Sequence, residues 1–127
     1  MKNSDHLELI NRYLDAYNAF DVDGMLAVLD PEVRFENYSG GALTAAANGI
    51  GEFRQLAERA KSLFSEREQR ITAIESRDGA LIASIAYRGR LAADIPDGAR
   101  TGTVLDLRGT SEFSFDQGLI AGIVDRS

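Results

Sequence analysis

The chain has 127 residues, of which 44% are apolar and 27% charged, and its 14 basic and 20 acidic residues give a net charge of −6. This length and composition predict one domain over residues 1–127 that buries roughly two-thirds of its unfolded surface. The acidic balance and the lack of a basic cluster argue against binding to nucleic acid or to anionic membranes. No signal-peptide pattern or membrane-length apolar run occurs in the sequence, so we expect a cytoplasmic protein.

The residue types that are absent narrow the possible chemistry. The sequence has no cysteine, and its only histidine is His6. Thiolate nucleophiles, Cys-based zinc sites and histidine-dependent triads are therefore excluded, and no glycine-rich phosphate-binding motif occurs. We expect no metal and no cofactor. Any reaction would use carboxylates, tyrosines, arginines, hydroxyls, amides and water.

Three segments are predicted to be helices. The first spans Ser4–Ala19, where apolar residues recur at helical spacing. The second begins after Asp21, a suitable N-cap, and ends at Asp30-Pro31 because proline does not continue a helix. The third begins at Gly49 and presents one apolar face as far as Phe64.

The remaining segments alternate in polarity as strands do. The first strand ends at Asn37, and Ser39–Asn48 is predicted to be a loop of small residues. Four further strands, joined by hairpin turns, are predicted over Ser65–Ser76, Ala80–Leu91, Thr103–Phe115 and Leu119–Arg126. The order ααβαββββ predicts an α+β fold in which a bent antiparallel sheet carries three helices on its concave face.

Residues 11–37, NRYLDAYNAFDVDGMLAVLDPEVRFEN, resemble the opening of the NTF2-like superfamily, which includes ketosteroid isomerases and SnoaL-type polyketide cyclases. The resemblance to the isomerases runs from Tyr13 to Phe53 and resumes at Ser111–Gly118, SEFSFDQG. It implies a cone-shaped fold whose mouth opens on a pocket for an apolar small molecule. It also implies a homodimer formed through the convex face of the sheet, which would carry Asp106, Arg108, Thr110 and Glu112.

The resemblance also places site residues. Ketosteroid isomerases use an aspartate base and an oxyanion hole made of a tyrosine and a protonated aspartic acid. In this chain the tyrosine falls at Tyr13, the base at Asn37, the second acid at Ser111 and a supporting tyrosine at Arg54. Asn37 cannot act as the base, because an amide does not take up a proton near neutral pH. We therefore expect no standard ketosteroid isomerase activity, and Asn37 is either a ligand contact or a side chain that caps the strand end.

Asp125 is the remaining candidate for acid–base catalysis, with Tyr13 as its partner. It alternates with apolar residues on the last predicted strand, and the polyketide-cyclase branch also uses a late aspartate. Burial in an apolar cone would raise the pKa of Asp125, which suits proton abstraction next to a carbonyl group. The alternative is an exposed or ion-paired residue near Arg126, because the opposite face of this strand is also apolar.

These observations leave two functional hypotheses. The first is a cofactor-independent isomerase, cyclase or dehydratase that acts on an apolar carbonyl compound, and the second is a non-catalytic ligand-binding or protein-interaction module. In both, the expected ligand-binding residues are Tyr13, Tyr17, Phe35, Asn37, Phe53, Arg54, Ser111 and Phe113. Three other residues are predicted to lie elsewhere: Arg67 on a solvated strand face, and Phe64 and Tyr87 in the core.

Overall fold

Three helices and one six-stranded sheet make up the fold in the computed structural model, which describes residues 3–96 and 98–127. The helices are α1 (Asn3–Asn18), α2 (Val22–Leu26) and α3 (Ile50–Lys61). The strands are β1 (Leu29–Ser39), β2 (Ala42–Asn48), β3 (Phe64–Arg77), β4 (Ala80–Leu91), β5 (Val104–Asp116) and β6 (Leu119–Arg126). Within the described residues, no helix is long and apolar enough to cross a membrane.

The sheet has the strand order β2-β1-β6-β5-β4-β3. All neighbouring strands run antiparallel except β1 and β6, which are parallel. The last strand, β6, therefore lies in the middle of the sheet, between β1 and β5. The α+β fold predicted from the sequence is confirmed, but the sheet is mixed rather than wholly antiparallel, because β6 pairs with β1 across the sheet and not through a hairpin.

The predicted loop at residues 39–48 is wrong. The structure has a β1–β2 hairpin there, which turns at Gly40 and Gly41 with φ angles of 59° and 84°. Glycine adopts these positive φ angles without steric strain. The alanine-rich segment that follows has little intrinsic strand propensity, so its pairing with β1 decides its conformation. The element order is therefore ααββαββββ rather than ααβαββββ.

The second helix is shorter than predicted. Its N-cap is Asp21, as expected, whose carboxylate accepts a 2.9 Å hydrogen bond from the backbone N–H of Gly24. The helix ends at Leu26, and Leu29 begins β1, so Pro31 lies inside the strand instead of ending the helix. By contrast, α1 and the last four strands match their predicted bounds to within one residue at each end.

The core lies between the concave face of the sheet and the helices, at one end of the cone. Strand β5 shows where the helices cover the sheet, because alternate residues along it share the concave face. Phe113 on that face is 1% exposed, whereas Leu107, six residues earlier, is 46% exposed. The helical layer therefore seals the end near Phe113 and leaves the sheet open near Leu107.

We expect Phe113→Ala to lower the free energy of unfolding by about 3–5 kcal/mol, because it removes a fully buried aromatic ring. Leu43→Ala is the control, since Leu43 is 53% exposed on the edge strand β2 and should change stability by only about 0.5 kcal/mol. Urea unfolding of both variants measures the difference. Equal losses in the two variants would contradict this placement of the core.

Candidate functional site

A row of polar side chains crosses the middle of the sheet on its concave face. The parallel pairing of β1 and β6 places Asn37 beside Asp125, and the antiparallel pairing of β5 and β6 places Ser111 on the other side of Asp125. Paired residues on neighbouring strands point to the same face of a sheet. The three polar side chains are therefore adjacent. The next position across the sheet, on β4, is Ala83.

The next row towards the sealed end of the cone is entirely apolar. It consists of Phe35, Ile123, Phe113 and Leu81, paired across β1, β6, β5 and β4. Ile123, Phe113 and Leu81 are all buried. The polar row therefore lies between the buried core and the open end of the cone.

A cavity of about 420 Å³ lies above the polar row, between the helices and the sheet. This volume is within the range of small-molecule sites, which are mostly apolar with a few placed polar groups. Its helical wall includes Tyr13, Tyr17, Met25, Phe53 and Leu56, and its sheet wall includes Phe35, Asn37, Ile85, Tyr87, Ser111 and Asp125. The polar row and the apolar walls together form the candidate site.

The Asp125 carboxyl group faces this cavity and accepts a 2.6 Å hydrogen bond from the hydroxyl of Ser111. Burial raises the pKa of Asp125 to about 6, and the hydrogen bond from Ser111 opposes part of that rise because it stabilises the carboxylate. A carboxyl group with a pKa near 6 can accept and return a proton close to neutral pH.

Tyr13 approaches the same site from α1. Its ring is buried and makes an edge contact with Phe113, with centroids 6.1 Å apart. Burial and, to a smaller extent, the charge of Asp125 raise the pKa of the Tyr13 hydroxyl, so this group stays protonated. No hydrogen bond is found for it within residues 3–96 and 98–127, which leaves the hydroxyl able to donate to a ligand in the cavity.

Asn37 has a structural contact as well as a position on the cavity wall. Its amide Nδ2 donates a 2.7 Å hydrogen bond to Thr44 Oγ1, and the Thr44 hydroxyl in turn donates to the backbone carbonyl of Asn37 at 3.1 Å. These two bonds join the β1–β2 hairpin beside a register shift at Asn37 and Tyr38. The side chain therefore stabilises the strand end while it lines the cavity.

Most residues selected from the sequence lie on the cavity wall, namely Tyr13, Tyr17, Phe35, Asn37, Phe53, Ser111 and Asp125. Arg54 does not, because Phe53 takes the inward position on α3 and the next residue is rotated by about 100°. Arg54 instead forms a 2.9 Å ion pair with Asp23 on the surface. Phe113 also lies off the wall, since it is sealed in the core against Tyr13.

Sequence reasoning missed the aromatic side chains of β3 and β4 that line the cavity. Phe64 and Tyr87 were predicted to lie in the core, yet both are half-buried on the cavity wall, with ring centroids 5.9 Å apart. The Phe64 ring covers Gly89, where an added Cβ would lie 2.9 Å from the ring. Alternation along β4 was the available signal, because Tyr87 shares a face with Ala83, which pairs with Ser111.

The prediction that Arg67 lies on a solvated face is wrong. Arg67 is 6% exposed, and its guanidinium lies 3.7 Å from the centroid of the Tyr17 ring and 4.5 Å from that of Phe20. Its Nε donates a 2.9 Å hydrogen bond to the backbone carbonyl of Tyr17. The neighbours Glu66 and Glu68 point to the opposite, exposed face, which made the segment look uniformly solvated in the sequence.

The fold agrees with that of a known protein family. The family profile of the SnoaL-like domain matches residues 10–123. The chain belongs to the SnoaL-like family. This match confirms the resemblance to the NTF2-like superfamily that the sequence indicated. Among curated proteins, no match is found for this SnoaL-like chain.

Solved structures of similar fold come from several bacteria. A candidate polyketide cyclase from Xanthomonas campestris pv. campestris has a TM-score of 0.81 and 20% identity, with 98% of this chain and 90% of that chain covered. TsrD from Streptomyces laurentii has a TM-score of 0.80 and 21% identity, covering 98% and 89%. AclR, a candidate hydroxylase from Streptomyces galilaeus, has a TM-score of 0.74 and 16% identity, covering 96% and 87%. At these identities the likeness establishes the fold alone.

The raised pKa of Asp125 predicts how stability depends on pH. The carboxyl group holds its proton up to about pH 6 in the folded protein but only up to about pH 3.8 when unfolded. The folded state therefore binds more protons between these values, so stability should fall by about 2–3 kcal/mol as pH rises from 4 to 6. Asp125→Asn should remove this fall. Urea unfolding at pH 4, 5, 6 and 7 tests both proteins, and parallel profiles would contradict the prediction.

Proposed function

We propose that this SnoaL-like protein is a cofactor-independent enzyme that transfers a proton next to the carbonyl group of an apolar small molecule, with Asp125 as the base. One observation carries the proposal. Asp125 is the only side-chain carboxylate among the described residues that line the cavity, and it has a pKa of about 6. A group with that pKa is a competent base at neutral pH, whereas an ordinary exposed aspartate is a much weaker one.

The reaction would begin with the carbonyl oxygen of the ligand near the Tyr13 hydroxyl. The Asp125 carboxylate takes the proton from the adjacent carbon, and the electron pair of that C–H bond moves to the carbonyl oxygen as an enolate. Tyr13 donates a hydrogen bond to the developing negative charge, which lowers the barrier. Asp125 then returns the proton to a second carbon. Alternatively, the enolate carbon attacks a second carbonyl carbon of the same molecule, whose C=O π pair moves to its oxygen, and that oxygen takes the proton from Asp125 as the ring closes.

Ser111 would act on the base rather than on the ligand. Its 2.6 Å hydrogen bond fixes one carboxylate oxygen of Asp125, so the other oxygen is oriented into the cavity. The bond also favours the carboxylate over the acid, and it thereby keeps the pKa of Asp125 from rising further above its ordinary value.

The proposed base of this chain lies on a different strand from the base of the isomerases that the sequence resembles. Those enzymes keep the base at the position of Asn37, and Asp125 is paired directly with Asn37 across β1 and β6. Neighbouring strands are about 4.8 Å apart. A carboxylate on either strand therefore reaches the same part of the cavity, but it approaches the ligand from a different side. Isomerisation of the steroid type is accordingly not proposed.

The walls of the cavity support an apolar, flat ligand. Phe35 and Phe53 form an edge contact with centroids 5.6 Å apart, and Leu56 and Ile85 extend the apolar surface. Such walls exclude water from the reacting carbon and strengthen the electrostatic interactions of Tyr13 and Asp125 with the ligand. The candidate polyketide cyclase among the similar structures is consistent with a polyketide-like ligand.

A second candidate function is ligand binding without catalysis. The observation that favours it is the contact of Asn37 with Thr44, because an amide used to join a hairpin is less available to stabilise an enolate. In this case the cavity would hold the same class of apolar ligand, and Asp125 would only accept a hydrogen bond from it.

We also propose that two copies associate through the convex face of the sheet. On β5, Asp106 and Arg108 are both exposed, and they alternate in charge along one strand face. An antiparallel arrangement of two copies would bring each acidic side chain near a basic one of the other copy. Sedimentation equilibrium tests this: the wild type should be a dimer at 100 µM, which corresponds to an association free energy of about 5.5 kcal/mol, and Arg108→Glu should be a monomer because it brings like charges together. A wild-type monomer at that concentration would overturn the proposal.

Exchange of the carbon-bound protons of a simple ketone tests the catalytic proposal without knowledge of the natural substrate. Wild-type protein in heavy water should accelerate deuterium incorporation next to the carbonyl group of 1-tetralone, as followed by NMR. Asp125→Asn should lower this rate by roughly 100-fold or more, because it removes the base. The rate should also rise with pH through about 6, as the carboxylate forms.

The matched control is Asp116→Asn, which removes an exposed carboxylate of the same sheet, outside the cavity and the proposed interface, and should leave the exchange rate unchanged. Binding of 1-tetralone without faster exchange would support the non-catalytic alternative. Equal rates in the wild type and Asp125→Asn would overturn the role of Asp125.

A further inference from the structure

A second polar group lies in the same cavity, away from Asp125. Tyr17 donates a 3.0 Å hydrogen bond to the hydroxyl of Tyr87, and both side chains line the cavity. Arg67 lies behind them, with its guanidinium 3.7 Å from the centroid of the Tyr17 ring. We call Tyr17, Tyr87 and Arg67 the tyrosine subsite.

Strand register separates this subsite from the polar row. Tyr87 pairs with Leu107 on β5, whereas Asp125 pairs with Ser111, four residues further along the same strand. Four strand residues span about 13 Å. On the opposite wall, Tyr13 and Tyr17 are four residues apart on α1, which is about 6 Å along the helix axis. Helix α1 therefore contributes Tyr13, whose hydroxyl is influenced by the charge of Asp125, and one turn later Tyr17, which is bonded to Tyr87.

The hydrogen-bond direction leaves a donor for a ligand. Because the Tyr17 proton is used in the bond to the Tyr87 oxygen, the Tyr87 proton remains available for a third partner. Burial raises the pKa of both hydroxyls, so both stay protonated at neutral pH. A hydroxyl that accepts one hydrogen bond is polarised by it and donates a stronger one, so the Tyr87 hydroxyl should be a good donor to a ligand.

Arg67 adds a positive charge that the described residues do not neutralise. It is 6% exposed, its Nη1 is buried without a hydrogen bond, and none of the ion pairs among residues 3–96 and 98–127 includes it. A buried cation is costly unless it is paired, and contacts with aromatic rings offset only part of that cost. Its field at the tyrosine hydroxyls favours electron-rich oxygen atoms in that part of the cavity.

We infer that the tyrosine subsite binds an acidic oxygen, such as a phenol or enol hydroxyl, at the end of the ligand remote from Asp125. The inference deepens the proposed function and rests on it, since it assumes that the carbonyl group is bound at Tyr13 and Asp125. It narrows the ligand class to flat apolar compounds with an oxygen at each end. Tyr87 would contact the ligand, and Tyr17 and Arg67 would be positioning residues that act through Tyr87.

Three ketones that differ at one position test the subsite. The probes are 1-tetralone, 6-hydroxy-1-tetralone, whose hydroxyl lies at the far end of the ring system, and 6-methoxy-1-tetralone, which has no acidic proton. The dissociation constants of all three are measured by calorimetry for the wild type, Tyr87→Phe and Tyr17→Phe. Tyr38→Phe is the control, because its hydroxyl donates to Glu36 outside the cavity.

The wild type should bind the hydroxy compound roughly 10-fold more tightly than 1-tetralone, as a hydrogen bond from a polarised donor to an acidic group predicts. In Tyr87→Phe this preference should fall to about one, while the affinity for 1-tetralone changes little. Tyr17→Phe should give an intermediate value, and Tyr38→Phe should keep the full preference. A general structural disturbance would weaken all three probes alike and would leave the ratio unchanged.

Two results would overturn the inference: equal affinity of the wild type for the hydroxy compound and 1-tetralone, or a preference that survives in Tyr87→Phe. Equal binding of the hydroxy and methoxy compounds would overturn the requirement for an acidic oxygen. Any of these results, together with normal proton exchange on 1-tetralone, would leave the proposed function intact. Loss of exchange with the hydroxyl preference retained would instead overturn only the proposed function.

Discussion

The parallel pairing of β1 with β6 is the constraint on which the candidate site depends. It inserts the last strand into the middle of the sheet, so that Asp125 lies between Asn37 and Ser111 instead of on an exposed edge. A one-residue slip of this register would turn Asp125 to the convex face, because alternate residues of a strand point in opposite directions. Ile123 on the same face of β6 opposes such a slip, since the slip would also turn this fully buried side chain out of the apolar row between Phe35 and Phe113.

The cone also explains why a carboxyl group with an unusual pKa is found in this place. The helices seal the sheet at the Phe113 end and leave it open at the Leu107 end, so the polar row lies at the boundary between dry core and cavity. Asp125 is desolvated enough to hold its proton up to about pH 6, yet it still faces a space that a ligand can enter. A residue deeper in the core would be out of reach of a ligand, and one nearer the mouth would titrate as in water.

Much of the fold could be predicted from the sequence, because most elements carry strong periodic patterns. The alternation in the last four strands and the apolar stripe of α1 gave bounds within one residue of those observed. Strand β2 could not be predicted, since its small side chains lack a strand pattern and only the pairing with β1 stabilises it. The extent of α2 was also missed, because Pro31 was taken as its end although the chain already becomes extended at Leu29.

The candidate site was only partly predictable, for a related reason. Tyr13, Asn37, Ser111 and Asp125 could be found from the resemblance and from strand alternation, which depend on local sequence. Tyr87 and Arg67 depend on which strands are neighbours and on which side chains α1 covers, and this information is not local. The charge of Arg67 was itself misleading, because a buried cation stacked on Tyr17 has the same sequence pattern as a solvated one.

If the half-buried Asp125 is the base, its carboxyl group has a pKa near 6, and its titration tests this most directly. Carbon-13 NMR can follow the side-chain carboxyl carbon of Asp125 between pH 3 and pH 9, with the signal assigned from Asp125→Asn. The account predicts a midpoint near 6, and a higher midpoint in Ser111→Ala, where the hydrogen bond that stabilises the carboxylate is lost. A midpoint near 3.8, unaffected by Ser111→Ala, would contradict the account.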